Sequence, residues 1–360
     1  MHFALNAICP YYTMFPMAFP LEHLKGLKPG SWVLDPFCGR GTTAFAARSL
    51  GLNTLGLDVN PVAVAAARAK LVAPKSADII HLAKQILTTP RIGTIPLGNF
   101  WSLAYHPDTL SDIVHLRECL LPLKSDAAVA LRAIMLGALH GPQAKCKDAY
   151  LSNQMQRTFS NKPNYSVKFW TERGLKPRRV DVLAIIAERA ERYYRERLPT
   201  VHAGVRLHDA RNPYAVRAPF AAVVTSPPYY GMATYVPDQW LRNWFLGGPA
   251  YPVYGKADQL SQGDINDFAM NLSKVWQTAA QRCQTGAKLA IRFGAISSRA
   301  TVRDPVEILD LSIAMSDCGW RIQTVFDAGH AAEGQRQAAL MGDTVKRSKA
   351  LLEIDMVCTL

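Results

Sequence analysis

The strongest constraint on the fold of this 360-residue chain is a glycine-rich turn that directly follows a short apolar segment. Residues 35–43 read Asp-Pro-Phe-Cys-Gly-Arg-Gly-Thr-Thr, between a predicted strand at 31–35 and a predicted helix at 41–50. Gly39 and Gly41 allow the backbone to turn tightly and to approach a ligand closely, as in dinucleotide-binding turns. The turn lacks the Gly-Lys-Ser/Thr ending of a phosphate-binding P-loop. It therefore predicts the opening of a parallel α/β sheet with a nucleotide or nucleoside as the ligand.

Predicted strands and helices alternate on both sides of a long helical stretch. A second strand, 53–58, precedes a helix that begins at Pro61, in the first turn where proline is favoured. After residue 199 the alternation resumes with a nearly all-apolar strand at 221–225. The other elements predicted there are strands 205–208, 288–293, 322–327 and 350–359, and helices 268–282 and 306–318. We therefore predict a doubly wound α/β sheet, from residues 1–74 and 201–360, interrupted by a mostly helical insertion at 75–200.

A polar-Pro-Pro-aromatic tetrad ends the strand at 221–225. Residues 225–230 read Thr-Ser-Pro-Pro-Tyr-Tyr. Consecutive prolines stiffen a loop, so they hold the Ser226 hydroxyl and the Pro227 carbonyl in place as hydrogen-bond acceptors. Tyr229 offers an aromatic face to a flat ligand. A rigid surface loop without a ligand is the alternative interpretation.

Taken together and in this order, the two runs resemble the cofactor loop and the catalytic loop of DNA methyltransferases that modify exocyclic amines. The resemblance covers about 235 residues on the two flanks of the insertion. It implies a Rossmann-like methyltransferase sheet, S-adenosylmethionine as the cofactor and double-stranded DNA as the substrate. The methyl donor is an activated sulfonium, so direct in-line displacement requires neither a covalent intermediate nor a metal.

The resemblance also assigns roles to individual residues. Ser226 and Pro227 would accept hydrogen bonds from the target amine, Pro228 would stiffen the loop, and Tyr229 would stack on a base rotated out of the duplex. Asp58, about 20 residues after the turn, would accept from the ribose hydroxyls, and Asp209 from the adenine amino group. Residues 12–16 resemble the N-terminal element that closes over the methionine end of the cofactor. The alternatives are helix capping for Asp58, a turn for Asp209 and a hydrophobic N-terminal strap for residues 12–16. The implied cofactor-binding residues are Thr13, Phe15, Asp35, Pro36, Phe37, Gly39, Gly41, Thr42, Thr43, Asp58, Asn60, Asp209 and Thr225.

The first residue of the tetrad bears on the base that is methylated. In the family, serine at this position is commoner among N4-cytosine enzymes, and aspartate or asparagine among N6-adenine enzymes, so Ser226 favours cytosine N4. No Pro-Cys dipeptide is present, which argues against methylation of a ring carbon. N6-adenine methylation, RNA methylation and a catalytically silent nucleic-acid-binding protein are the alternatives.

The net charge of +13 favours a polyanionic partner, although a basic surface kept for solubility would give the same count. Residues 157–179 mix basic, amide and aromatic groups, which suits contact with phosphates and bases. An amphipathic connector is the alternative. The family places its target-recognition region between the two loops but enters it after the third strand, whereas this chain enters after the second. The candidate nucleic-acid-binding residues are Arg157, Lys162, Tyr165, Lys168, Trp170, Arg178, Arg179 and Tyr230.

The remaining composition excludes several other classes of protein. Seven cysteines without CxxC spacing, and histidines without HExxH spacing, predict reduced thiols and no metal site. No secretory signal and no apolar run of about 18 residues are evident, so we expect a cytoplasmic protein without a membrane partner. The resemblance implies a prokaryotic or phage gene. It leaves open the recognition sequence, a cognate restriction endonuclease and the choice between monomer and dimer.

Overall fold

The computed structural model describes residues 4–10, 15–142, 148–153, 156–230, 237–254, 260, 264–294, 304–330 and 352–360. The strands are β1 (Trp32–Asp35), β2 (Asn53–Asp58), β3 (Ala203–Leu207), β4 (Phe220–Thr225), β5 (Cys283–Gly294), β6 (Arg321–His330) and β7 (Leu352–Thr359). The α-helices are α1 (Ala18–Leu24), α2 (Thr42–Ser49), α3 (Pro61–Ala69), α4 (Ser76–Thr88), α5 (Asn99–Ala104), α6 (Pro107–Leu120), α7 (Asp126–Ala138), α8 (Pro163–Glu172), α9 (Val182–Tyr193), α10 (Trp240–Phe245), α11 (Ile265–Ala280) and α12 (Pro305–Ser316). Short 3₁₀ helices lie at Ala4–Ala7 and Pro237–Gln239.

The chain divides into two compact units. The sheet unit comprises Thr13–Asn60, Pro199–Ala233 and Ala257–Leu360, and the helical unit comprises Met1–Tyr12, Pro61–Leu198 and Thr234–Lys256. These bounds differ from the predicted insertion at 75–200, because α3 packs against α7 and α10 within the helical unit. Both units are therefore assembled from three separate segments of the chain.

The sheet unit contains one seven-stranded sheet in the order β3-β2-β1-β4-β5-β7-β6. The five strands from β3 to β5 pair in parallel, and β7 pairs antiparallel with both β5 and β6. This order matches the dinucleotide-binding order 3-2-1-4-5-6 except that β7 lies between β5 and β6. The predicted doubly wound α/β fold is confirmed.

Alternating side chains of the inner strands bury both faces of the sheet. Leu34 contributes to a core that includes Trp276 of α11 and Ile308 of α12. Its neighbour Val33 contributes to the core on the other face, with residues of α1 and α2. All six residues of β4 are buried, as expected for a strand covered on both sides. The central strands are thus rigidly packed, and their ends are fixed positions for functional groups.

A buried arginine ties the helical unit together. Arg242 of α10 is fully buried, and its guanidinium donates to the carbonyls of Leu136 at 2.9 Å, Arg157 at 2.9 Å and Thr158 at 3.3 Å. It also donates to the Gln239 side chain at 2.8 Å. One side chain therefore connects α10, the end of α7 and the segment before α8.

Replacing Arg242 with methionine should lower the free energy of unfolding by about 3 kcal/mol, because buried carbonyls would lose their donors at about 1–3 kcal/mol each. Urea denaturation followed by circular dichroism measures this loss. The exposed Arg195 provides the control, since Arg195→Met should change the stability by less than about 0.5 kcal/mol. Equal stabilities of the two variants would contradict the role of Arg242.

Candidate active site

Three polar residues end neighbouring parallel strands of the sheet unit. Asp58 ends β2, Asp35 ends β1 and Thr225 ends β4, and β1 lies between the other two strands. The carboxyl ends of parallel strands meet at one edge of a sheet, where ligands of open α/β sheets bind. A hydrogen bond of 2.6 Å from Thr225 Oγ1 to Asp35 Oδ1 joins the glycine turn to the start of the tetrad. The two sequence motifs therefore adjoin each other.

The glycine turn adopts a backbone that requires glycine at two positions. Gly39 and Gly41 have φ angles of 47° and 78°, in the left-handed region that other residues disfavour. Gly41 is also the N-cap of α2 and has no side chain to accept from the first N–H groups of the helix. These N–H groups are suited to bind an incoming polar ligand. The Gly41 N–H donates to the Cys38 carbonyl at 2.7 Å, which closes the turn.

Asp35 is a fully buried carboxyl group at the centre of the edge. Its Oδ1 accepts from Thr225 and, at 3.2 Å, from the Phe37 N–H. Its Oδ2 is buried without a hydrogen-bond partner among the described residues. Burial raises the pKa of Asp35 to about 7, and the side chains of Thr225 and Thr43 together with the Phe37 N–H offset only part of this effect. The group therefore exchanges a proton near neutral pH.

Asp58 connects the end of β2 to the glycine turn. Its Oδ2 accepts from the Gly39 N–H and its Oδ1 from the Asn60 N–H, both at 2.8 Å. Burial raises the pKa of Asp58 to about 6, against the opposing effect of these bonds. Each carboxylate oxygen retains acceptor capacity after one such bond. The side chain can therefore shape the turn and still bind hydroxyl groups.

Asp209, the residue predicted to bind the adenine amino group, forms a salt bridge with Arg211. The Arg211 guanidinium donates to both carboxylate oxygens, with an Nη2–Oδ2 distance of 2.6 Å. Burial alone would raise the pKa of Asp209, but the hydrogen bonds and charge of Arg211 lower it below its usual value. The group is therefore a carboxylate at neutral pH, and its role toward a ligand stays a prediction.

The remaining predicted cofactor residues fall into three groups. Thr13 lies outside the described residues, and Phe15 packs edge-to-face on Phe19 with ring centroids 5.4 Å apart. Thr43 is buried and donates to the Val224 carbonyl at 3.1 Å, so it fastens α2 to β4. Pro36, Thr42 and Asn60 are also buried at this edge, and Phe37 is half-buried.

The tetrad loop is more buried than its predicted role requires. Ser226 and Pro228 are half-buried, while Pro227 is buried. Tyr229 is 4% exposed, and its ring packs edge-to-face on Phe293 with centroids 5.9 Å apart. The Tyr229 ring is thus buried in this structure, and its stacking on a base stays a prediction. Phe293 belongs to the apolar core between β5 and α11, which explains this burial.

Two of the predicted nucleic-acid-binding aromatics, Tyr230 and Trp170, are buried in the core of this structure, and their contact with a nucleic acid stays a prediction. Tyr230 is 9% exposed and packs against Phe268 of α11, with ring centroids 5.3 Å apart. Trp170 is 1% exposed and packs against Phe100, 5.6 Å between centroids. Trp170 lies one turn after Ser166 on the buried side of α8. Burial of its large apolar surface on this side stabilises the packing of the helix.

The other candidate nucleic-acid-binding residues lie on the surface of the helical unit. Tyr165 is 62% exposed, and it shares the outer side of α8 with Lys168. Some of the charges are engaged: Arg178 forms an ion pair with Asp148, and Arg179 lies 3.4 Å from Asp108. The Lys162 ammonium lies 5.6 Å from the centre of the Tyr254 ring. Arg157 is also exposed.

One buried carboxylate beside the tetrad, Glu353, belongs to neither of the two sequence motifs. Glu353 of β7 is 3% exposed, and its Oε1 accepts from the Tyr229 hydroxyl at 2.7 Å. The sequence feature that could have indicated this residue is a pair of acidic residues, Glu353 and Asp355, within the otherwise mostly apolar strand predicted at 350–359. The Asp355 partner is Arg292 of β5, at 2.6 and 2.7 Å.

Within the described ranges, no group of three or more His, Cys, Asp or Glu side chains could hold a metal ion. None of the helices described is both long enough and apolar enough to cross a membrane.

Residues 7–69 match the family model for DNA methylases. This match includes the glycine turn and Asp58, and the tetrad lies outside it. A curated relative, the type II methyltransferase M.BsoBI of Geobacillus stearothermophilus, is 49% identical over 37 residues, which is 10% of this chain. The aligned part spans only 7% of the length of that relative.

The chain also resembles several solved structures at low sequence identity. The rRNA methyltransferase aviRa from Streptomyces viridochromogenes is 12% identical with a TM-score of 0.35, and the alignment covers 98% of this chain and 87% of that chain. A SAM-dependent methyltransferase from Methanosarcina mazei is 10% identical with a TM-score of 0.36, covering 96% and 97% of the two chains. TehB from Haemophilus influenzae is 8% identical with a TM-score of 0.35, covering 96% and 63%.

Proposed function

We propose that this protein is an S-adenosylmethionine-dependent DNA methyltransferase that methylates the exocyclic N4 amine of cytosine. The observation that carries the proposal is the hydrogen bond between Thr225 and Asp35, because it joins the residue before the tetrad to the start of the glycine turn at one sheet edge. The match of residues 7–69 to DNA methylases supports the same activity. The net charge of +13 supports a nucleic acid as the substrate.

The residues at the end of β1 and β2 fit S-adenosylmethionine. Asp58 has acceptor capacity for the two ribose hydroxyls beyond its bonds to Gly39 and Asn60. The left-handed Gly39 and Gly41 let the backbone approach the nucleoside. Asp35 Oδ2, buried at the end of β1, has no hydrogen-bond partner among the described residues. When bound, the cofactor supplies a methyl group activated by its sulfonium.

The tetrad supplies acceptors for the amine that receives the methyl group. An exocyclic amine is a weak nucleophile, since its lone pair is delocalised into the ring. The Ser226 hydroxyl and the Pro227 carbonyl accept hydrogen bonds from the two N–H groups of the amine. These bonds favour a tetrahedral nitrogen and stabilise the positive charge that develops there. Pro227 and Pro228 restrict the backbone, so these acceptors are in place before the base arrives.

The choice of cytosine rests on Ser226, and the N6 amine of adenine is the second candidate. The chemistry of the hydroxyl does not distinguish the two bases, because serine can accept a hydrogen bond from either amine. The preference for cytosine therefore comes from the more frequent occurrence of serine at this position in N4-cytosine enzymes. The exposed basic and aromatic side chains of the helical unit support recognition of DNA; among them are Arg157, Lys162, Tyr165 and Lys168, whose ammonium lies 3.8 Å from the Glu172 carboxylate.

Incubation of the protein with unmethylated duplex DNA and methyl-labelled cofactor, followed by digestion to nucleosides and chromatography, tests the proposal. We expect labelled N4-methylcytosine. Labelled N6-methyladenine would overturn the choice of base and keep the activity, and label in an RNA competitor alone would indicate the RNA alternative. No labelled nucleoside on DNA of varied sequence would overturn the proposed function.

Replacing Asp58 with asparagine should weaken the binding of S-adenosylmethionine about 10- to 100-fold at pH 8, because hydrogen bonds to a charged acceptor contribute about 1.5–3 kcal/mol. In the unaltered protein the affinity should fall as the pH decreases through about 6, where Asp58 takes up a proton and loses acceptor capacity. Calorimetric titration from pH 5 to pH 8 measures both effects.

The exposed Asp310 of α12 gives a matched control, since Asp310→Asn should leave the affinity and its pH dependence unchanged. The same pH dependence in Asp58→Asn as in the unaltered protein would contradict the assignment of Asp58.

A further inference from the structure

A carboxylate from the last described strand lies under the catalytic loop. Glu353 is 3% exposed, Tyr229 is 4% exposed, and the Tyr229 hydroxyl donates to Glu353 Oε1 at 2.7 Å. Transfer of a carboxylate from water to such a place is costly unless hydrogen bonds compensate. An apolar residue would suit a mostly apolar strand better on packing grounds alone. The hydrogen bond from Tyr229 compensates part of the cost of burying the carboxylate, and the Arg292 guanidinium adds a favourable charge interaction with Glu353.

The sheet register explains how β7 reaches this loop. Glu353 pairs with Gly294 at the end of β5, and Ile291 of β5 pairs with Thr225 at the end of β4. Because β5 runs parallel to β4, its final residues extend past Thr225 on the side of the tetrad. Glu353 thus lies at the same sheet edge as the motif residues.

Tyr229 is held at both ends of its side chain. The ring packs on Phe293, and the hydroxyl is bound by Glu353. The residue directly follows Pro227 and Pro228, whose backbones have little freedom. A displacement of Tyr229 is therefore transmitted to the Pro227 carbonyl and to Ser226, the two proposed acceptors.

We propose that Glu353 is a positioning residue that fixes these acceptors by holding Tyr229. The proposal rests on the proposed function, in which Ser226 and Pro227 bind the target amine. Misplacement of a reacting group by about 1 Å can lower a rate about 100-fold. Loss of the Glu353 carboxylate should therefore lower kcat, with no direct effect on cofactor binding.

The experiment compares Glu353→Ala, Glu353→Gln, Tyr229→Phe and the double variant Tyr229→Phe/Glu353→Ala with the unaltered protein. We expect Glu353→Ala to lower kcat for DNA methylation about 10- to 100-fold, with the Kd for S-adenosylmethionine and the KM for DNA changed less than about threefold. Glu353→Gln keeps an acceptor for the hydroxyl, so it should restore a large part of kcat. The double variant should be no slower than its slower parent, because both changes break the same bond.

Ser312→Ala is the matched control for a general loss of stability. Ser312 accepts from Trp276 Nε1 at 3.0 Å in a buried side-chain hydrogen bond of the same unit. This variant should lose a comparable amount of stability and retain kcat.

Hydrogen exchange of a peptide covering residues 225–230, measured without cofactor or DNA, tests the positioning independently of activity. We expect faster exchange in Glu353→Ala than in the unaltered protein or in Ser312→Ala. Unchanged exchange would overturn the proposal, and so would faster exchange with an unchanged kcat. If the unaltered protein does not methylate DNA, the proposed function and the catalytic part of this inference are overturned. If exchange of the loop still depends on Glu353 in that case, the hydrogen bond to Tyr229 has a structural role only.

Discussion

Replacing Ser226 with alanine should lower kcat for DNA methylation about 100- to 1,000-fold, the loss typical for one prepositioned hydrogen-bonding group in an active site. Ser226 is half-buried and adjoins Thr225, which is bonded to Asp35. The alanine variant keeps the two prolines and the core packing of Tyr229, so the loop should retain its backbone. The affinity for S-adenosylmethionine should change less than about twofold. Single-turnover kinetics with labelled cofactor, together with calorimetric titration, separates the two quantities.

A half-buried serine outside the proposed site provides the comparison for this variant. Ser49 ends α2 and donates to the Ala46 carbonyl at 2.8 Å. Ser49→Ala should keep kcat within about twofold. A Ser226→Ala variant that loses cofactor affinity as strongly as kcat would contradict the assignment of Ser226 to the target amine.

The free energy of unfolding of the cofactor-free protein should fall as the pH rises from about 4 to about 7 because of Asp35. The pKa of this carboxyl is about 7 in the folded protein and 3.8 in its ordinary state. Over this window the folded protein keeps a proton that the unfolded chain has released, so stability decreases with pH by up to about 1.4 kcal/mol per pH unit. The stabilisation is complete below the ordinary pKa and is lost as the pH passes through about 7.

Urea denaturation at pH 4.5, 5.5, 6.5 and 7.5 measures this dependence. Asp58, whose pKa is about 6, contributes in the same direction over a narrower window. The difference between the unaltered protein and Asp35→Asn therefore isolates Asp35. Asparagine keeps an oxygen that can accept from Thr225 and does not titrate, so the variant should show a flatter pH dependence. Equal slopes in both proteins would contradict a raised pKa at Asp35.

The sequence predicts the sheet well because its strands carry local signals. The run 221–225 is nearly all apolar and proves to be a strand buried on both faces, and the glycine turn lies where it was expected. Asp58 illustrates the same point, since its place at the end of β2 follows from the spacing after the turn. Such features depend on neighbours in the chain and are readable without knowledge of the fold.

The features that the sequence does not reveal depend on partners far along the chain. Trp170 looks like a nucleic-acid contact among its basic neighbours, but Phe100, from a segment 70 residues earlier, covers it. Tyr230 is covered in the same way by Phe268 of α11. The salt bridge of Arg211 to Asp209 is local, yet neither residue type indicates whether that carboxylate stays free for a ligand.

The position of β7 has a consequence for how the newly made protein matures. In the described sheet, β6 pairs only with β7, which is made later yet inserts between β5 and β6. Among the described strands, the pairing partner of β6 is therefore complete only after residues 352–359 have been synthesised. Nascent chains that stop short of this point lack Glu353, so the hydrogen bond to the Tyr229 hydroxyl should form only late in synthesis.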